Sequence, residues 1–189
     1  MSWLLVGVMS VVVVGFARPV AAQDTPKVEV AGGWNYVGLR FNEGDEWEHF
    51  YKGGFGEVAV NVNSRWGVVG NIGYDQKTIT ENEGDIKAKV IPYLFGVRLS
   101  SRSNPKNTPF FHFLAGASKF DVSLGSESIN QTSFTWQVGG GININTSGPV
   151  GARVGGDYLR IHGKSGDEVT SEAVQGLRLT AGVVVKFGG

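Results

Sequence analysis

The sequence predicts an all-β fold: an up-and-down transmembrane β-barrel of eight antiparallel strands. Three observations predict it: eight segments in which apolar and polar residues alternate, connections that are alternately long and short, and no long apolar run beyond the N-terminal segment. Period-two alternation is typical of strands with two different faces. A membrane-spanning helix would need about 20 apolar residues, so strands are left to cross a bilayer.

The N-terminal residues are typical of an export signal. Residues 4–17 are almost entirely apolar, and the small residues Val20 and Ala22 stand at positions −3 and −1 of a signal-peptidase site, although no Lys or Arg precedes the apolar run. We therefore expect a signal peptide over 1–22, cleaved after Ala22, and a barrel over 23–189. The alternative is a membrane anchor or a buried helix.

The first four strand segments cover residues 27–40, 54–63, 67–76 and 86–99. In the first, Glu29 and Asn35 share one face, and Trp34 and Tyr36 share the other. The apolar faces of the next three segments are Val58, Val60 and Val62, then Trp66, Val68, Ile72 and Tyr74, then Ile91, Tyr93, Phe95, Val97 and Leu99. Each opposite face carries small or polar residues, so each segment has one face for lipid and one for the barrel interior.

The last four segments cover residues 109–120, 131–145, 149–160 and 174–187. Their outward aromatics are Phe111, Phe113, Trp136, Tyr158 and Phe187. Together with aromatics of the first four segments, several of these lie near strand ends, where interfacial girdles occur.

The connections sort into two kinds. The short ones are 64–66, 100–108 and 146–148, and the long ones are 41–53, 77–85, 121–130 and 161–173. Most acidic residues lie in the long connections. Short periplasmic turns and longer outer loops are typical of outer-membrane barrels, which places both termini in the periplasm.

Eight strands enclose an interior that side chains can fill. We expect a structural network of inward polar residues: Glu29, Glu57, Arg98, His112, Arg153, Asp157, Arg178 and Lys186. Buried charges must pair. Strand direction favours Glu29 with Lys186 or Arg153, and Asp157 with Arg178.

Five motifs carry a family resemblance: residues 92–98, PYLFGVR; 109–117, PFFHFLAGA; 136–143, WQVGGGIN; 150–158, VGARVGGDY; and 177–188, LRLTAGVVVKFG. In order and spacing they resemble the OmpA-like and opacity-type outer-membrane β-barrels, the porin-family outer membrane β-barrel domain. The resemblance implies a monomeric barrel in the outer membrane of a Gram-negative cell. It also implies lipid and lipopolysaccharide as surroundings and the barrel-assembly machinery as a partner during insertion.

Several function classes are disfavoured. The 17 basic and 17 acidic residues balance, which argues against nucleic acid as a partner, and the absence of Cys removes disulfides and thiolate chemistry. The three histidines lack metal-ligand spacing, and the glycine runs do not precede a helix, so we expect no metal or cofactor. No His and Ser stand two residues apart, as in lipid A deacylases of this shape, so we expect no enzyme.

The favoured function is a filled barrel with a structural or surface-interaction role, in envelope integrity or adhesion. A narrow porin-like channel for small solutes is a second hypothesis. A soluble periplasmic lipocalin-like carrier is a third, and it would require an apolar interior and a polar exterior.

Overall fold

The structure is a computed structural model. It describes the backbone of residues 25–40, 46–81, 84–104, 106–124, 127–165 and 168–188, and the side chains of 25–40, 46–78, 88–104, 106–121, 131–162 and 173–188. The expected signal peptide over 1–22 lies outside the described residues. The eight strands are β1 Val28–Arg40, β2 Glu48–Asn61, β3 Trp66–Glu81, β4 Gly84–Ser100, β5 Asn107–Leu124, β6 Glu127–Asn145, β7 Val150–Ser165 and β8 Glu168–Phe187.

Each strand pairs antiparallel with the next, and β1 pairs with β8 to close the barrel. The predicted fold class is confirmed. The described residues include no helix long and apolar enough to cross a membrane. The start of β1, the end of β8 and the short connections after β2, β4 and β6 lie at one end, here called the inner end. The opposite end is called the outer end.

The register shows how steeply the strands tilt. A path of paired residues that starts at Val28 of β1 returns to β1 at Gly38, ten residues further along. The path passes through Val60, Val68, Val97, Phe113, Val138, Tyr158 and Leu177. Such a stagger over eight strands corresponds to a tilt of roughly 35–45°. A barrel of this size has an interior that side chains can fill.

The strands are longer at the outer end than the sequence predicts. β3 ends at Glu81 and β4 begins at Gly84, so the predicted loop 77–85 is largely a strand hairpin. The predicted loops 121–130 and 161–173 are also largely strand, and β2 begins at Glu48 within the predicted loop 41–53. Past the expected lipid layer, both faces of a hairpin would meet water. The backbone pairing continues there, whereas the alternation that marks strands is lost.

Three clusters of inward apolar residues fill part of the interior. The largest lies towards the outer end and consists of Val37, Leu39, Phe50, Val90, Leu159 and Ile161. The others are Ala59, Val69, Leu94 and Leu114, and Ala31, Phe55 and Val184. The interior is therefore mixed: charged groups occupy some levels, and aliphatic side chains seal others.

Inward glycines allow neighbouring strands to approach closely. A Cβ placed on Gly96 of β4 would lie 2.0 Å from the carbonyl oxygen of Phe113 and 2.8 Å from Cα of Leu114 on β5. A Cβ on the outward Gly70 of β3 would meet nothing within 4 Å. A side chain at Gly96 would therefore have to push two strands apart.

We predict that Gly96→Val prevents most of the protein from refolding into detergent micelles, because the clash is with backbone atoms that cannot rotate away. The measurement is the far-ultraviolet circular dichroism of the refolded protein, relative to wild type.

Gly70→Val is the matched control, and it should refold like the wild type. Equal refolding of both variants would show that the close approach at Gly96 does not constrain the barrel.

Candidate functional site

The lumen near the inner end holds a layer of buried charges, here called the ionic layer: Glu29, Glu57, Arg98 and Arg153. These side chains come from β1, β2, β4 and β7 and are only 1–5 % exposed. Arg98 Nη2 lies 2.6 Å from Glu29 and Arg98 Nη1 lies 3.4 Å from Glu57. Arg153 lies 3.5 Å from Glu29 and contacts Glu57 directly. Each carboxylate thus contacts both guanidinium groups.

Neutral groups add hydrogen bonds to the ionic layer, in which Nε of Arg98 and Nη2 of Arg153 are buried without a hydrogen-bond partner among the described residues. Asn143 accepts a hydrogen bond from Nε of Arg153 at 2.7 Å and donates one to Glu29 at 3.2 Å. Asn71 donates to Glu57 at 3.2 Å. The ring of Phe110 lies 4.8 Å from the guanidinium carbon of Arg153, a distance suited to a cation–π contact. The hydrogen bonds from neutral groups offset part of the cost of burying these charges.

A second group of polar residues lies deeper in the lumen. Nε2 of His112 lies 2.7 Å from Oδ1 of Asp157, and the amide of Gln137 lies 3.5 Å from the same histidine nitrogen. Arg178 donates to Asn71 at 3.0 Å and to Gln137 at 3.4 Å. Asn71 thereby links this group to the ionic layer.

The interior leaves almost no free volume at these levels. A cavity of about 10 Å³ lies between Glu57, His112, Arg153 and Asp157. A second of about 20 Å³ lies between the polar group and the apolar cluster at the outer end, beside Leu39 and Gln137. One water needs about 10–15 Å³ on this measure, so each cavity has room for about one water.

The inner mouth is wide by comparison. A bowl of about 750 Å³ opens there, lined in part by Glu29, Arg102, Asn143 and Lys186. Arg102 reaches into it from the connection after β4, lies 2.6 Å from Glu29 and donates to the carbonyl oxygen of Ser64 at 2.7 Å. With Arg102, three guanidinium groups face two carboxylates.

The structure brings seven of the eight predicted lumen residues into these two groups: Glu29, Glu57, Arg98, His112, Arg153, Asp157 and Arg178. Lys186 is only half-buried at the inner mouth. It stands opposite Glu29 in the register but makes no ion pair with any described residue.

The expected partners are only partly those observed. Glu29 contacts Arg153, as one alternative expected, but its nearest partners are Arg98 and Arg102. Asp157 and Arg178 are register neighbours, yet Asp157 pairs with His112 instead. Sequence reasoning missed Arg102 because it lies in the predicted connection 100–108. The one feature of the sequence that could have indicated its role is its position. Arg102 follows the end of β4 by two residues and continues the row of inward residues that includes Arg98.

The outer wall has the opposite character. Large apolar side chains are exposed around the whole circumference, among them Val30, Trp34, Val58, Trp66, Tyr93, Phe95, Phe113, Phe134, Val154, Leu179 and Phe187. A continuous apolar belt of this extent is untenable in water. Charges inside and an apolar belt outside are the reverse of a soluble carrier, so the lipocalin-like alternative is wrong.

The model of the outer membrane protein beta-barrel domain matches residues 8–187. The chain belongs to this family. The barrel is therefore transmembrane and its place is the outer membrane. Short connections lie on the periplasmic side in barrels of this kind, so we expect the inner end to face the periplasm. The resemblance noted in the sequence is confirmed.

Solved structures show the same fold. Neisserial surface protein A (NspA) has a TM-score of 0.67 at 16 % identity, with 85 % of this chain and 97 % of that chain covered. Ail, the attachment invasion locus protein of Yersinia pestis, in complex with the heparin analogue sucrose octasulfate, has a TM-score of 0.56 at 18 % identity, with 85 % of this chain and 99 % of that chain covered. The N-terminal β-barrel domain of Pseudomonas aeruginosa OprF has a TM-score of 0.54 at 11 % identity, with 87 % of this chain and 100 % of that chain covered. A comparison with curated protein sequences finds no match.

Metal chemistry finds no support in the described part of the chain, where no three His, Asp or Glu side chains converge as ligands. The His112–Asp157 pair is enclosed by the lumen. The arrangement can brace the barrel and block its interior.

We predict that Glu57→Gln lowers the free energy of unfolding by about 3–5 kcal/mol, because it leaves buried guanidinium groups without a carboxylate they contact. The measurement is urea unfolding of the barrel refolded in detergent micelles.

The matched control is Glu48→Gln, which removes a partly exposed ion pair with Lys77. It should change the free energy by no more than about 1 kcal/mol. If the two substitutions cost the same, the ionic layer does not stabilise the fold.

Proposed function

We propose that this protein is a closed outer-membrane barrel with a structural and surface-interaction role, in envelope integrity or adhesion. One observation carries the proposal: the ionic layer crosses the lumen and fills it. Charged side chains from four strands meet inside the lumen, where a channel would need water.

The packing around the ionic layer supports a closed lumen. The interior cavities of about 10 and 20 Å³ lie between groups that are hydrogen-bonded or packed to one another. Conduction would require the ion pairs of Arg98 and Arg153 to separate, and separating buried ion pairs is costly. A narrow channel for small solutes is therefore the weaker alternative.

The outer hairpins support a surface role. β3–β4, β5–β6 and β7–β8 extend past the apolar belt, since the outward residues there are polar: Gln76, Lys89, Lys119, Thr132, Arg160 and Gln175. The name of Ail refers to attachment and invasion. That likeness is one of fold, and it motivates the adhesion side of the proposal.

The exposed side chains of the barrel wall indicate which molecules surround the protein. An apolar belt with aromatic side chains suits outer-membrane lipid and lipopolysaccharide as partners, and the barrel-assembly machinery would insert the chain after cleavage behind Ala22. We propose a monomer, since the closed barrel leaves no sheet edge that a second copy could extend. We propose no catalytic role, because the His112–Asp157 pair has no path for a substrate.

We predict that the wild-type protein forms no stable conductance steps in a planar bilayer, because the ionic layer occupies the lumen. A variant with Glu57→Ala and Arg153→Ala removes one carboxylate and one guanidinium together, so no net charge is added. It should conduct measurably more than the wild type.

Folding of both proteins is checked first by gel mobility in SDS, boiled against unboiled, because folded outer-membrane barrels shift on heating. Stable steps from the folded wild type would contradict the closed lumen and favour the narrow channel. Absence of a heat-dependent shift, with the protein in the soluble fraction, would contradict the membrane role itself.

A further inference from the structure

A groove of about 370 Å³ runs along the lipid-facing wall over β7, β8 and β1, with Trp47 beside it from the connection before β2. Its size falls within the range of about 300–1,000 Å³ that is usual for ligand sites. The apolar belt elsewhere is formed by large side chains, so this depression needs a local cause.

Two glycines produce the depression. Outward Gly38 stands opposite Leu177 on β8, and outward Gly156 stands opposite Leu179. Both leucines are about half exposed, at 49 % and 55 %. No side chain projects from either glycine. Gly38 is buried under Trp47, Tyr36 and His49, whereas Gly156 leaves Leu179 open, and the two leucines form an aliphatic floor.

Aromatic side chains form the walls of the groove. Tyr36 on β1 and Tyr158 on β7 stand on either side, and Trp47 closes the outer part, 3.3 Å from the place of a Cβ on Gly38. The hydroxyl of Tyr36 is hydrogen-bonded to Nδ1 of His49 at 2.5 Å, which fixes its ring. Aromatic side chains of this kind mark the level where lipid tails meet head groups.

Two arginines flank the outer end of the groove. Outward Arg40 and Arg160 both stand opposite Gln175, one strand to each side of it. Two strand spacings put their Cα atoms about 10 Å apart. The guanidinium carbon of Arg40 lies 5.6 Å from the centroid of the Trp47 ring. Neither arginine is ion-paired with any residue in the described part of the chain, and Nε of Arg160 is buried without a partner there.

We infer that this groove binds a phosphorylated, acylated glycolipid of the outer leaflet, of the lipid A class. One acyl chain lies on the leucine floor between the tyrosines, and phosphate groups meet Arg40 and Arg160. Guanidinium groups bind phosphate through paired hydrogen bonds. Two cations about 10 Å apart suit two separate phosphates better than one phosphodiester. The inference deepens the lipid partnership proposed above and rests on that placement in the outer membrane.

The opposite wall lacks this combination. Lys89 on β4 and Lys119 on β5 also point outward towards the outer end, but Lys119 is paired with Asp121 at 3.3 Å. Ile91 and Tyr93 fill the wall beneath them with large side chains. This wall offers charge without a groove and serves as an internal comparison.

The test is native mass spectrometry of the protein refolded in detergent micelles and titrated with lipid A, with phosphatidylglycerol in a parallel titration. The wild type should retain one lipid A molecule and little phosphatidylglycerol. The double variant Arg40→Gln, Arg160→Gln should retain at least tenfold less lipid A. The variant Lys89→Gln, Lys119→Gln loses the same charge and should bind like the wild type.

A second pair of variants tests the groove without changing charge. A Cβ on Gly156 would meet its nearest neighbour, Cδ2 of Leu179, at 3.5 Å, an ordinary contact, so Gly156→Val should fold and fill the groove. It should retain several-fold less lipid A. Gly70→Val adds the same side chain to another part of the belt and should leave retention unchanged.

Every variant is checked for folding by the heat-dependent shift in gel mobility. If a charge variant does not fold, the two glycine variants test the site, and if a glycine variant does not fold, the two charge variants test it. Unchanged lipid A retention in the folded arginine variant or in folded Gly156→Val would overturn the site. Equal retention of phosphatidylglycerol by the wild type would overturn the assignment to lipid A. Lipid retention and conductance are measured separately. The lipid site can therefore be disproved without affecting the proposal of a closed lumen, and the closed lumen can be disproved without affecting the lipid site.

Discussion

The pairing of β1 with β8 is the constraint on which the rest of the molecule depends. In lipid no water can satisfy a free strand edge, so the sheet must close on itself. With eight strands and a stagger that carries Val28 to Gly38, closure fixes a narrow interior. It also fixes which side chains meet there. Glu29 reaches Arg98 across 69 residues of sequence, and Glu57 reaches Arg153 across 96, only because closure brings their strands together.

The charges stand inside because the wall excludes them. Lipid surrounds the outer face, so strongly polar groups at membrane level must face the lumen, where only other side chains can replace water. The buried charges neutralise one another through shared contacts. Glu29 and Glu57 each contact Arg98 and Arg153, and Asn143 bridges Glu29 to Arg153. Such a network can be worth more than the sum of its separate pairs, so the loss of one member is costly. The aliphatic cluster around Leu39 and Leu159 closes the outer end by packing alone.

The sequence was most informative where the chain crosses lipid. There the two faces of a strand differ, so Glu57, Arg98 and Arg178 could be placed inside from alternation alone. Beyond the lipid that contrast disappears, and residues such as Lys77 and Asp121 were placed in loops although their strands continue. Side-chain partners were less predictable, because they depend on the stagger, which alternation does not determine. The pairing of Asp157 with His112, and the reach of Arg102 back to Glu29, both follow from that stagger.

A sealed lumen restricts where a barrel of this kind can act. In the proposed closed barrel, solute passage would have to break the ionic layer, so specific recognition would fall to the outer hairpins and to the wall. Most of the wall is uniformly apolar and distinguishes lipids poorly. The wall is not uniform around Gly156. The missing side chain there leaves the leucine floor open, and Arg40 and Arg160 place charges at the outer edge of the groove. The fold does not require a glycine at position 156, because a larger side chain would fit there. The depression at Gly156 is therefore better explained by what it admits from the membrane than by barrel closure.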